Sequence, residues 1–184
     1  MATCILTDES VHLTNVPNLL DIQTMTKVLE SLGVQSDSSN MKENKLTVCY
    51  KEVDKSIAEY DLVRKMRASV LILGPLLARK KEASVSLPGG CAIGARPIDI
   101  HIDALKKLGA DFTLDSGYVN CSAPNGLKGN RIDLRKISVG ASENIIMAAS
   151  LAKGESEINN IAIEPEVIDL IKCLKSMGSL IEFV

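Results

Sequence analysis

Three segments of the chain end in the same way, and this internal repetition constrains the fold more than any other feature of the sequence. The triplets SLG at 31–33, KLG at 107–109 and SMG at 176–178 each close a segment whose apolar residues recur with helical spacing. A glycine directly after such a segment is a common C-terminal signal of an α-helix. Each of these helices follows a short predicted strand, in SVHLTNV, ASVSLPG and SEINNIAI. The sequence therefore predicts a repeated strand–helix arrangement.

A second kind of helix also recurs along the chain. MRASVLILGPLLAR from Met66 matches VGASENIIMAASLAK from Val139, and both segments are apolar on nearly all sides. Helices of this kind are enclosed by other elements of the fold. MAASLAKGESEINN from Met147 also matches the opening residues MATCILTDESVHLTN, so Met1 is expected to lie inside a helix of the same type. At the other end, LIEFV is expected to begin a strand.

These repeats predict an α/β domain made of three helix–strand–helix–strands units, with central helices wrapped by sheets. The expected units are about 1–58, 59–136 and 137–184. The first and last units are incomplete, so the single domain over 1–184 is expected to be truncated at both ends. The polar segment 35–46 is predicted to be a hairpin loop.

Composition excludes several classes of protein. A net charge of -2 gives no indication of a nucleic-acid-binding surface. The apolar run VLILGPLLA is too short to span a membrane and is interrupted by Gly74 and Pro75. Five scattered cysteines, without a signal peptide or a CxxC pair, indicate a reducing compartment and thus the cytoplasm. The two histidines are far apart in sequence, so no metal site is predicted.

Residues 88–97, PGGCAIGARP, are the part of the sequence most suggestive of chemistry. Glycines let this loop approach a ligand closely, and Cys91 lies among them with Arg96 five positions later. A thiol close to a guanidinium can become reactive, which makes Cys91 a candidate nucleophile or proton donor. The alternative is a small buried cysteine, as most free cysteines are.

Other candidates lie at predicted helix N-termini, where backbone N–H groups favour anions. Arg96 precedes the helix that begins near Ile98 and could bind a carboxylate or phosphate; alternatively it pairs with Asp99 or Asp103 on that helix. Those two aspartates resemble a solvated edge more than an acid/base pair. His101, on the same helix, is more often structural or solvated than catalytic.

The two apolar helices supply the remaining candidates. Arg67 opens the first of them, in KMRAS, where it could bind an anion or simply extend its charged end to solvent. Lys136, Ser138 and Gly140 occupy the matching place in KISVGAS. Ser138 could contact a ligand there, or could act only as an N-cap.

At these residues the chain resembles the family of UDP-N-acetylglucosamine 1-carboxyvinyltransferases, the UDP-N-acetylglucosamine enolpyruvyl transferases. The motifs MRAS, SLPGGCAIGARPIDIHIDALKKLGA, KISVGAS and EPEVIDL occur in the family's order, and the resemblance covers essentially the whole chain. The enolpyruvyl transferases of the shikimate pathway share the fold but lack this cysteine loop. The resemblance implies two inside-out α/β domains of three repeats each. It also implies transfer of the enolpyruvyl group of phosphoenolpyruvate to the 3′-hydroxyl of the sugar nucleotide, with release of phosphate, in peptidoglycan synthesis. No metal or organic cofactor is implied.

The resemblance also implies roles for individual residues. Cys91 corresponds to the family's proton donor, which forms a covalent adduct with phosphoenolpyruvate and is the target of fosfomycin. Arg67 would lie near the anionic substrates. The implied contacts of UDP-N-acetylglucosamine form two sets: Arg96, Pro97, Ile98, Asp99 and Ile100, with His101 adjacent, and then Lys136, Ile137, Ser138, Val139 and Gly140.

Parts of the family pattern are missing. The family's lysine–asparagine pair would lie before Met1, and its second domain, with a catalytic aspartate and a further arginine, has no counterpart here. Because the family's active site lies between two domains, this chain alone is expected to be inactive. Two other interpretations remain: a non-catalytic module that binds a UDP-sugar weakly, and an unstable truncated product that aggregates through an unpaired strand edge.

Overall fold

The computed structural model describes residues 1–51, 57–58, 67–86 and 98–183. Over these ranges the α-helices are α1 (Leu20–Ser31), α2 (Leu73–Lys80), α3 (Asp99–Lys107), α4 (Val139–Ala149) and α5 (Pro165–Ser176). The strands are β1 (Val11–Leu13), β2 (Val34–Asp37), β3 (Leu46–Tyr50), β4 (Ile57–Ala58), β5 (Glu82–Ser86), β6 (Asp111–Asp115), β7 (Tyr118–Ser122), β8 (Arg131–Asp133) and β9 (Glu157–Asn159). Short 3-10 helices cover Ala2–Leu6, Met41–Glu43 and Arg67–Ile72.

The three outer helices α1, α3 and α5 end in the same way. Gly33, Gly109 and Gly178 follow them with φ angles of 96°, 92° and 100°. Each glycine N–H donates to the carbonyl oxygen three residues earlier, over 2.9–3.0 Å. A positive φ costs glycine little, so the chain can turn sharply at each of these points. The helix ends predicted from the repeated triplets are confirmed.

The strands form three separate sheets. The first is antiparallel in the order β1-β3-β2, the second has the order β4-β5-β7-β6, and the third pairs β8 with β9. The predicted hairpin joins β2 to β3, but its loop is shorter than expected because Gln35–Asp37 already belong to β2. Polar residues fit this strand since Gln35 and Asp37 both lie on an exposed face. The polar residues of segment 35–46 therefore indicated exposure to solvent and not the absence of a strand.

Apolar helices occupy the interior. The strand pairs β4–β5 and β8–β9 are parallel, and a helical crossover joins the two strands of each pair. The crossover from β4 to β5 contains α2, and the crossover from β8 to β9 contains α4. These two helices pack against each other. The 3-10 helix Ala2–Leu6 also packs on α2. The core contains fully buried side chains from all three, such as Ile5, Leu76 and Ile145. The limits of the repeat units stay a prediction.

Three expectations about local structure were wrong. Met1 was expected to lie inside a helix, but it is the N-cap residue before the 3-10 helix Ala2–Leu6. The segment from Met66 to Arg79 was expected to be one helix, but the structure has a 3-10 helix followed by α2. Pro75 explains the break because it has no N–H to donate to the carbonyl of Leu71, four residues earlier. The residues Leu180–Phe183 form no strand, since no strand of the described ranges pairs with them.

Among the helices of the described ranges, none combines the length and the apolar character that crossing a bilayer requires.

Candidate functional site

Some of the predicted site residues lie outside the described residues, namely Cys91, Arg96 and Pro97. Arg67 begins the 3-10 helix Arg67–Ile72. The backbone thus places Arg67 directly before the part of the chain that packs on α4. The remaining candidates lie at the N-terminal ends of α3 and α4.

The first turn of α3 carries four of the predicted residues. Ile98 is the N-cap residue and is buried in a small cluster with Val70 and Val119. This contact packs the start of α3 against the 3-10 helix Arg67–Ile72. Asp99 accepts a hydrogen bond from the backbone N–H of Ile100 over 2.9 Å. Two of the predicted substrate segments are therefore in direct contact.

The start of α4 carries the second predicted set. Ser138 is the N-cap residue, and its Oγ accepts from the backbone N–H of Ala141 over 3.4 Å. Ser138 is thus an N-cap residue, and whether it also contacts a ligand stays a prediction. The N–H groups of Val139 and Gly140 belong to the first turn, where no intrahelical acceptor exists. Lys136 and Ile137 precede the cap and are exposed.

Gly140 brings these two helix ends together. A Cβ atom at this position would lie 3.3 Å from Cε1 and 3.6 Å from Nε2 of His101. The first turn of α4 therefore lies directly against the imidazole of α3, and any larger residue would displace the ring. His101 is only 5% exposed, so its ring is buried in this contact and is not solvated.

Asn144, one turn further along α4, joins all three segments. Its Oδ1 accepts from the backbone N–H of Gly74 over 2.6 Å. Its Nδ2 donates to the carbonyl oxygen of Val70 over 2.8 Å and lies 3.1 Å from Nδ1 of His101. The side chain is fully buried. Asn144 was not among the candidates predicted from the sequence. The signal that could have identified it is an asparagine at the start of the otherwise apolar run NIIMAA.

A second residue that sequence reasoning missed is Arg135. Its guanidinium forms an ion pair with Asp99 and lies 3.4 Å from Oδ2 of Asp103. The two aspartates, expected to be a solvated edge, are thus bridged by an arginine that directly precedes Lys136. The spacing of the aspartates on one helix face was visible in the sequence, whereas the partner on another element was not.

The described cysteines differ in chemistry from the role predicted for Cys91. Burial raises the pKa of the Cys4 thiol to about 12 and that of Cys121 to about 12. Both thiols therefore stay protonated at neutral pH, and they are poor nucleophiles. Cys49 and Cys173 are also free.

A cavity of about 220 Å³ lies next to this region, and Leu71 of the 3-10 helix Arg67–Ile72 is one of the residues that line it. Glu143 and Met147 line it from α4, and Glu166 and Asp169 line it from α5. Burial and the nearby charge of Glu166 raise the pKa of Glu143. Within the described ranges, no group of three or more His, Cys, Asp and Glu side chains is arranged to hold a metal ion.

Comparison with known proteins identifies relatives that are longer than this chain. The UDP-N-acetylglucosamine 1-carboxyvinyltransferases of Dinoroseobacter shibae and Ruegeria pomeroyi are 54% and 52% identical to it over 183 residues. The match covers 99% of this chain but 43% of each of those proteins. The chain therefore spans less than half the length of these curated relatives.

Solved structures establish the fold. The enolpyruvyl transferase NikO from Streptomyces tendae superposes with a TM-score of 0.86 at 20% identity, over 100% of this chain and 42% of that chain. An EPSP synthase from Acinetobacter baumannii gives a TM-score of 0.72 at 17% identity, over 100% and 43%. The predicted α/β fold of enolpyruvyl transferase type is thereby confirmed.

The family description that matches the chain is "EPSP synthase (3-phosphoshikimate 1-carboxyvinyltransferase)", and the match extends over residues 1–183. Because nearly every residue falls within it, the chain belongs to this family of enolpyruvyl transferases.

Proposed function

We propose that this chain supplies the cysteine loop and the sugar-nucleotide-binding segments of a UDP-N-acetylglucosamine enolpyruvyl transferase. The reaction moves the enolpyruvyl group of phosphoenolpyruvate to the 3′-hydroxyl of UDP-N-acetylglucosamine and releases phosphate. It is the first committed step of peptidoglycan synthesis.

One structural observation carries the proposal: three separate predicted substrate segments meet at one place. The 3-10 helix that begins at Arg67, the first turn of α3 and the first turn of α4 contact one another through Ile98, Gly140 and Asn144. Unrelated surface residues would have no reason to converge in this way. The choice of sugar nucleotide is supported by the names of the relatives, which match 99% of this chain.

The residue types suit the chemistry. The sugar oxygen forms a bond to C2 of phosphoenolpyruvate and gives up its hydroxyl proton to a base of the second domain, while the C2–C3 double bond opens and C3 takes a proton, which the thiol of Cys91 can supply. In the second step C3 loses a proton, the C2–C3 double bond forms again, and the bond from C2 to the phosphate oxygen breaks to release phosphate. The intermediate carries carboxylate and phosphate charges, and we assign Arg67 and Arg96 to their stabilisation.

The sugar nucleotide is placed along the two helix N-termini. Its diphosphate carries negative charge, which the positive ends of the dipoles of α3 and α4 and the backbone N–H groups of Val139 and Gly140 favour. We assign Arg96, Pro97, Ile98, Asp99, Ile100 and His101, with Lys136, Ile137, Ser138, Val139 and Gly140, to this binding. A second domain completes the active site in this proposal, so the chain alone has negligible turnover.

We also propose that the protein is located in the cytoplasm. The four described cysteines, Cys4, Cys49, Cys121 and Cys173, are free thiols, as a reducing compartment maintains them.

Calorimetry with UDP-N-acetylglucosamine tests the binding part of the proposal. We expect the chain to bind it, and Lys136→Ala to weaken binding by about three- to tenfold through loss of one cation near the diphosphate. Lys128→Ala, which removes an exposed lysine from another loop, is the matched control. Equal effects of the two substitutions, or no binding by the unaltered chain, would contradict the proposed site.

Fosfomycin and a phosphate-release assay test the role of Cys91. We expect mass spectrometry to find the fosfomycin adduct on Cys91, and Cys91→Ser to abolish it. Binding of the nucleotide without alkylation would instead favour a non-catalytic UDP-sugar module. Release of phosphate from phosphoenolpyruvate and the nucleotide by this chain alone, lost in Cys91→Ser, would overturn the need for a second domain.

A further inference from the structure

We propose that Asn144 is a positioning residue that fixes the imidazole of His101 in one tautomer and holds the three substrate segments in one arrangement. The inference rests on the proposed function only in its consequence for sugar-nucleotide binding. The effect on His101 follows from the geometry of the described residues alone.

The hydrogen bonds of Asn144 determine which way its amide points. The atom of Gly74 that contacts Asn144 is its backbone nitrogen, which can only donate. The side-chain atom 2.6 Å from it must therefore be the accepting oxygen, Oδ1. Val70 offers a carbonyl oxygen, so the atom 2.8 Å from it must be the donating nitrogen, Nδ2. Two independent backbone partners thus agree on a single orientation of the side chain.

This orientation constrains the histidine. The amide nitrogen carries two hydrogens; one goes to Val70, and the other faces Nδ1 of His101 at 3.1 Å. Nδ1 must then accept this hydrogen with its lone pair, so the neutral ring carries its own hydrogen on Nε2. Nε2 is the ring nitrogen near Gly140, at the first turn of α4. Asn144 therefore presents an N–H donor toward the end of the helix that we assign to the sugar nucleotide.

The same side chain is locked in place by packing. Asn144 is fully buried, and a Cβ atom on Gly74 would lie well inside 3.0 Å of its Oδ1 and of its backbone oxygen. The amide thus has no room to rotate, and it joins α4 to both of the other segments. A buried polar group with every hydrogen bond made specifies one geometry, and loss of one partner leaves the others unsatisfied.

The tautomer of His101 can be measured directly. The chain has only two histidines, so a long-range ¹H–¹⁵N spectrum of the whole chain contains two imidazoles, and His12→Gln assigns them. The spectrum is recorded at about pH 8, above the usual imidazole pKa of about 6.5. We expect the Nε2–H form in the unaltered chain. In Asn144→Asp the amide donor becomes an accepting carboxylate, so we expect the hydrogen to move to Nδ1.

The consequence for binding is measured on the same proteins. We expect Asn144→Asp to weaken binding of UDP-N-acetylglucosamine by about tenfold or more, the equivalent of one buried hydrogen bond. Asn120→Asp is the matched control because Asn120 also bonds through its side chain, to Ser84 Oγ, but on the second sheet. It should change neither the tautomer nor the affinity by more than about twofold.

Asn144→Ala keeps the test decisive if the buried aspartate prevents folding. Its shorter side chain removes the donor without adding charge, so the fraction of His101 in the Nδ1–H form should rise. An Nδ1–H ring in the unaltered chain, or an unchanged tautomer in a folded Asn144 variant, would overturn the inference. If the unaltered chain does not bind the nucleotide, the proposed function has failed, and the tautomer still decides the role of Asn144.

Discussion

Two neighbouring rows of residues on α4 lie side by side, one close-packed and the other bordering a cavity. In the close-packed row Gly140 and Asn144 pack directly against α3 and α2, with each polar atom of the Asn144 side chain hydrogen-bonded. In the cavity row Glu143 and Met147 border a cavity of about 220 Å³. Their spacing along the sequence puts both rows on the same side of the helix, so their difference comes from what each of them contacts.

The contrast shows where this fold fixes geometry and where it tolerates change. The close-packed row brings the backbone of α2 next to that of α4, which only a residue without a side chain at position 74 permits. In the cavity row, burial and the charge of Glu166 raise the pKa of Glu143. The close-packed row therefore resists substitution, while the cavity row contains a carboxylate whose ionisation is unfavourable. We expect changes in the close-packed row to cost more stability.

The largest effect is expected from Gly74→Ala. The new Cβ would overlap the backbone oxygen of Asn144, which cannot move without displacing α4. Overpacking of this kind destabilises a core, here by about 3 kcal/mol. The free energy of unfolding from urea titration measures it.

Gly154→Ala is the control for this experiment. It adds the same atom where nothing lies within 4 Å, so only the strain of its positive φ of 90° remains. That strain costs about 1 kcal/mol. An equal loss of stability in the two variants would show that α2 and α4 are not closely packed at Gly74.

The sequence predicted what depends on local pattern and missed what depends on partners. The ends of the outer helices followed from a glycine after an apolar period, and the buried helices from an absence of polar positions. Pro75 also had a consequence that the apolar pattern did not indicate, because the residues before it form a 3-10 helix instead of an α-helix. Asn144 and Arg135 could not be assigned, since their partners lie far along the chain and no spacing rule connects them. The loop that contains Cys91 is predicted from its motif alone, because its residues lie outside the described ranges.

A smaller effect, of opposite sign, is expected from Glu143→Gln in the cavity row. In the unfolded chain a glutamate has a pKa of about 4.3, whereas the native state holds the proton of Glu143 more tightly. Between about pH 4.3 and the raised native pKa, the native state therefore binds more protons than the unfolded state does. The contribution of Glu143 to the free energy of unfolding falls as the pH rises through this interval. Glutamine does not titrate. The variant should match the wild type at low pH and exceed its stability at neutral pH.

Thermal unfolding at a series of pH values measures this difference. Glu155→Gln, at an exposed position, should give a curve parallel to that of the wild type. Glu166→Gln should reduce the pH-dependent loss because it removes the neighbouring negative charge. A Glu143→Gln variant that loses stability at neutral pH would mean that the carboxylate is stabilised in the cavity.

The smallest effect on stability, and the one most specific to the candidate site, is expected from Arg135→Gln. Its ion pairs with Asp99 and Asp103 are exposed, and such pairs contribute less than about 1 kcal/mol and weaken with salt. Removal of the guanidinium leaves two unpaired carboxylates at the start of α3, where we place an anionic sugar nucleotide. Binding should therefore weaken by about threefold at low salt.

Arg131→Gln separates this local effect from a general loss of positive charge. Arg131 lies between Asp133 and Glu157 in the sheet of β8 and β9, so it loses the same charge and a similar pair of contacts. Its removal should leave the affinity for the nucleotide unchanged. If both variants weaken binding equally, only net charge matters, and the start of α3 has no special relation to the ligand. If Arg135→Gln alone has the effect, the aspartates of α3 lie close to the bound anion, and the arginine that bridges them is part of that site.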